Sequence, residues 1–209
     1  MNKQDTRPSG ERQRQRTKSG ESQSVLGRLT DQETSLVLHT LLERHRPLRE
    51  EAEKLATEIV NTPCCEDIAS AVADAVTSLD IQDLSGRAGA TRYGYTEPTE
   101  AAWQLLEESV EGFLADMKRR AELRLTDAAM TMCRGILAGL YKARNSASDG
   151  PLGWAPDFLA EEAGHAVAEV LRAVRGESRE AIRVRLVETI TADVPDWAEM
   201  LTRVASEEG

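Results

Sequence analysis

The chain has 209 residues, of which 40% are hydrophobic, 4% aromatic and 30% charged, with a formal net charge of −10. The length is enough for a domain with a substantial core, and the acidic balance argues against a surface that wraps nucleic acid, because phosphates would be repelled along most of it. No apolar run reaches the roughly 18 residues of a membrane span, and the N-terminal charges have no apolar stretch behind them, so neither a membrane helix nor a secretory signal is expected and the cytoplasm is the expected location.

Residues 1–27 read as a disordered basic tail. Up to Ser24 the segment has no large apolar residue beyond Met1, and it sets Lys3, Arg7, Arg12, Arg14, Arg16 and Lys18 against Asp5, Glu11 and Glu21. Such a stretch cannot bury enough surface to offset the entropy of ordering it. The first helix is predicted from Thr30, which has capping-box spacing to Glu33, with Leu38, Leu41 and Leu42 as its apolar face. Pro47 interrupts the pattern, so a helix ending near Arg44 is followed by one starting at Pro47 that carries Leu48, Ala52, Leu55, Ala56 and Ile59. Because the apolar phase continues across the proline, a single kinked helix is the alternative. Thr62 and Pro63 then read as a capping residue and a first helical position, opening a helix with Ile68, Val72, Ala75, Val76 and Leu79.

Residues 85–95, with Gly86, Gly89 and Gly94, are predicted to be a loop. Two long helices follow, from Thr96 to Arg144. The first places Trp103, Leu106, Val110, Phe113, Met117 and Ala121 at steps of three or four. The second does the same with Ala129, Met132, Cys133, Ile136, Leu137, Leu140 and Tyr141. The short break between them makes an antiparallel αα-hairpin. A second Gly/Pro-rich loop spans 146–158. The next helix carries Leu159, Ala163, Val167, Val170, Leu171 and Val174. A last pair holds Ile182, Leu186 and Ile190, then Trp197, Leu201 and Val204.

The fold class is therefore all-α: about eight helices in an irregular stack of antiparallel pairs, forming one domain over 28–209. The central hairpin, with small residues Ala101, Ala102, Ala128 and Ala129, resembles one unit of a tetratricopeptide-type solenoid, although no 34-residue repeat recurs. The block GYTEPTEAAWQLLEE, followed by GWAPDF, resembles an uncharacterised group of bacterial all-helical proteins. That resemblance implies a helical fold and no activity.

Several constellations bear on chemistry. Glu162 and His165 have the Glu-x-x-His spacing that puts both on one helical face, as in di-iron bundles. His39 and Glu43, four apart, have the wrong order and spacing for the second pair, so a solvated helix face is the plainer reading and no metal or cofactor is expected. Cys133 lies in an apolar stripe and reads as an inert thiol. Cys64 and Cys65 lie at a helix start, where the dipole favours a thiolate. None of the three histidines has an arginine four to six residues upstream, which argues against HEPN-type ribonucleases. No catalytic serine elbow, phosphate-binding glycine loop or His-Glu-x-x-His motif is present.

Binding is assigned to the two loops. Tyr93, Tyr95, Trp154 and Phe158 are the candidate aromatic anchors, with Arg87 and Arg92 for charged groups. The competing reading is that these rings plug the end of the helical core. The function expected first is a non-enzymatic cytoplasmic interaction or scaffold protein with a protein partner. The alternative is a regulator that contacts nucleic acid through residues 1–24, and the third is a small helical enzyme whose site the sequence does not single out.

Overall fold

The computed structural model describes residues 25–91, 94–146, 150–174 and 179–207. The expected disordered tail lies outside the described residues from 1 to 24. The fold is all-α, with ten α-helices among the described residues. The chain divides into two compact units, residues 1–55 and 56–209.

In the first unit a 3₁₀ turn at Val25–Arg28 leads into α1 (Asp31–Arg44) and α2 (Arg46–Asn61), the latter running past the unit's end. The start of α1 is the predicted capping box: the Thr30 hydroxyl accepts from the Glu33 amide, and the Glu33 carboxylate accepts from the Thr30 amide. Pro47 separates the two helices as expected, through the single non-helical residue His45. Neither helix contains a buried residue, and Leu38, Leu41, Leu48 and Leu55 are all exposed.

The second unit is built around α6 (Thr126–Ala143), twelve of whose eighteen residues are buried. Packed on it are α3 (Cys65–Thr77), α5 (Pro98–Glu122), α8 (Phe158–Ala173) and α9 (Arg179–Asp193), while α10 (Ala198–Glu207) lies on α8 and α9. The predicted stripes form the core: Leu106, Met117, Ile136, Leu137, Leu140, Ile182, Leu186, Ile190 and Leu201 are fully buried. Trp103 and Phe113 are only half-buried and pack on the core's margin.

The α5–α6 corner is three residues long, Leu123–Leu125. Arg124 adopts a left-handed φ of 62°, the Leu125 amide donates to the Arg120 carbonyl and the Arg124 amide to that of Ala121. These two bonds satisfy the last carbonyls of α5 and turn the chain back.

Three local expectations are corrected. Thr62 does not cap α3; its hydroxyl donates to the Glu58 carbonyl at the end of α2, and the helix begins at Cys65 with Cys64 as N-cap. The 85–95 loop contains the end of a short helix, α4 (Ile81–Ser85), capped by Asp80, and an antiparallel pair, β1 (Gly89–Thr91) and β2 (Gly94–Thr96), with Ala90 opposite Tyr95. The second loop holds a single helical turn, α7 (Pro151–Trp154).

Candidate functional site

Two faces of α5 do different work. Ala102, Leu106, Val110 and Met117 face the core. Trp103, Glu107, Glu111 and Leu114, also at steps of three or four, line a groove against α8. From α8 come Glu161, Glu162 and His165, and Gln104 and Glu108 complete a cavity of about 570 Å³. The Glu-x-x-His pair foreseen in the sequence thus shares one face of α8 and opens into this groove.

Five glutamates line the cavity, so its field favours cations. Glu108 is paired at the rim: its carboxylate accepts from Arg87 at 2.7 Å, which lowers the Glu108 pKa below the usual carboxylate range. Glu107, Glu111, Glu161 and Glu162 make no ion pair or side-chain hydrogen bond among the described residues. One turn beyond His165, by contrast, Glu169 is held by Lys118 at 2.6 Å and by Arg172, and its pKa is lowered.

Glu162 is the unusual member. The residue as a whole is only 7% exposed, and its carboxylate, which makes no hydrogen bond or ion pair among the described residues, opens into the groove rather than being sealed in the core. Its neighbours along α8, Leu159, Ala163 and Ala166, are all buried, so the helix carries a carboxylate on the edge of its core stripe. Burial raises its pKa; the positive side of His165 opposes this and the charge of Glu107 adds to it. Partial desolvation disfavours the charged carboxylate, and a cation brought into the groove would offset that.

Trp103 forms the end of the groove and also meets Phe158 edge-to-face, with ring centroids 5.1 Å apart and planes at 71°. Phe158 itself is fully buried. It plugs the core where α8 begins, and so presents no surface to a ligand. Of the other residues assigned to binding, Tyr95 and Trp154 are exposed, on β2 and α7, and Arg87 is tied to Glu108. Tyr93 and Arg92 lie outside the described residues. Among the described residues assigned to binding, Arg87 alone reaches the groove's rim, through Glu108.

The thiols supply no nucleophile of obvious use. Cys133 is buried, its Sγ 3.9 Å from the Ala166 carbonyl, and burial pushes its pKa up to about 12. Cys65 was expected to gain from the helix N-terminus, but desolvation raises its pKa, and Arg134 only partly offsets this. Cys64 is exposed and its Sγ contacts Glu66 at 3.4 Å. Among the described residues no three His, Cys, Asp or Glu side chains converge as metal ligands would, and no helix is long and apolar enough to cross a membrane.

Comparison of the chain with protein-family models, with curated proteins and with solved structures finds no match.

Proposed function

We propose that this is a non-enzymatic interaction protein of the cytoplasm that holds a basic segment of a partner protein in the groove between α5 and α8. The observation that carries the reading is Glu162: a residue only 7% exposed, whose carboxylate makes no hydrogen bond or ion pair among the described residues and opens into a cavity that four further glutamates line. Partial burial and the charge of Glu107 both disfavour the charged form of Glu162, and a basic side chain in the groove would favour it. The cysteines, three free thiols, fit a reducing compartment.

Calorimetric titration with a short peptide of mixed lysine and arginine, at low salt, tests the reading. Saturable binding that weakens with added salt is expected. It should weaken by about tenfold or more in Glu162→Gln, the loss of a charge-assisted contact. Circular dichroism checks that the variant keeps its helices. Absence of binding by the wild-type protein at low salt overturns the reading.

A further inference from the structure

We infer that the group received by the groove is the guanidinium of an arginine side chain. The inference rests on the reading above and narrows it from basic segments in general to one side-chain chemistry.

Three observations separate arginine from lysine. The first is the setting of Glu162 in the groove wall, in a residue only 7% exposed. A cation that meets its carboxylate between α5 and α8 gives up part of its water, and an ammonium is a compact, strongly hydrated charge, whereas a guanidinium is more weakly hydrated. The second is the shape of the acceptor. Glu162 keeps both carboxylate oxygens without partners among the described residues, and the planar fork of arginine can donate to both at once. The third is the rest of the wall. Trp103 stands on the same face of α5 as Glu107, one turn before it, and is half-buried. An indole attracts a guanidinium by stacking as well as by charge.

The remaining carboxylates give the segment a direction. Glu107 and Glu111 continue along α5 away from Trp103, so a second basic residue on the same segment would meet them near the surface. Those outer contacts are screened and exchangeable between lysine and arginine. Selectivity for arginine is thus assigned to the position over Glu162 alone.

The test uses the full chain and three peptides of one sequence whose central basic residue is arginine, lysine or citrulline, the outer residue being lysine in each. Calorimetry should show the arginine peptide binding about tenfold or more tightly than the lysine peptide, as one bidentate charged contact implies, with citrulline weakest. Glu162→Gln should remove most of the difference between arginine and lysine while leaving the weak outer binding. Trp103→Leu should weaken the arginine peptide more than the lysine peptide. If arginine and lysine peptides bind wild type equally, the inference is overturned while the groove remains a site for basic segments. If N-acetyl-arginine amide alone binds as tightly as the arginine peptide, the ligand is a small guanidinium compound and the assignment to a segment is overturned. If none of the three peptides binds, the broader reading fails with it.

Discussion

Gly139 of α6 lies so close to Ala69 of α3 that a methyl group built on it would stand 2.7 Å from the Ala69 carbonyl oxygen, and 2.7 Å from Cβ of Val72. One turn earlier a methyl on Gly135 would meet Ile68 Cβ at the same distance. Two glycines four residues apart let the backbones of α3 and α6 approach, and the closeness is fixed partly by a carbonyl that cannot swing aside. Gly139→Ala should therefore cost about 1–3 kcal/mol, the usual penalty for overpacking. Gly112 is the internal control, since it is exposed in α5 with nothing within 4 Å. Gly112→Ala should raise stability by roughly 0.5–1 kcal/mol through helix propensity. Urea unfolding of both variants measures the pair, and an unchanged midpoint for Gly139→Ala would contradict the contact.

Phe158 and Trp154 were assigned together by sequence and stand apart in the fold. Phe158 is enclosed, against Trp103. Trp154 is 46% exposed. Phe158→Ala should cost about 3–5 kcal/mol, whereas Trp154→Ala should cost under 1 kcal/mol or so, as surface changes do. Thermal unfolding followed by circular dichroism distinguishes them. Comparable losses in both would mean that Trp154 closes the core as well.

The three cysteines should react in the order of their exposure. Native protein treated with an aromatic disulfide reagent near neutral pH should be modified at Cys64. Cys133, with its pKa pushed up to about 12 by burial, should react only on unfolding. Peptide mapping by mass spectrometry gives the positions, and labelling of Cys133 in native protein would show that α6 and α8 separate readily.

What the sequence made legible follows from the range of the interactions involved. Thr30 with Glu33, the break at Pro47 and the stripes of α5 and α6 are local patterns, set by neighbours within four residues. The Asp80–Asp83 capping box of α4 was equally local and could have been read, but the glycines that follow drew the segment into a loop. The Gly135–Gly139 pair carried a small-residue spacing that points to close helix packing. The groove was harder, because Glu107 and Glu111 alone look like the solvated face of an acidic helix. They become a site only when α8, some fifty residues on, lies beside them. One signal was present: Glu162 interrupts the apolar series of Leu159, Ala163 and Ala166, and a charge at the edge of a core stripe needs a reason.

That charge gives the last prediction. The Glu162 pKa is raised in the folded chain, chiefly by burial, so between the ordinary carboxylate value and the raised one the native state binds more protons than the unfolded state. By linkage, stability falls as pH rises through that window, and the penalty is complete above the folded pKa. The groups facing Glu162 are Glu107, Glu108 and Glu111 from α5 and Glu161 and His165 from its own helix, with Arg87 held on Glu108 at the rim; the charge of Glu107 adds to the effect and His165 opposes it. Glu162→Gln removes the ionisation and keeps the shape. The variant should melt above the wild-type protein at pH 7, and the difference should shrink toward zero as pH drops below the ordinary carboxylate range, where Glu162 is protonated in both states. A saturating arginine peptide should raise the wild-type melting temperature at pH 7 more than that of the variant, because the bound cation supplies the partner the fold leaves out. A variant less stable than wild type at pH 7 would mean that the carboxylate is already paired within the chain, and the reason for the groove to take a cation would be gone.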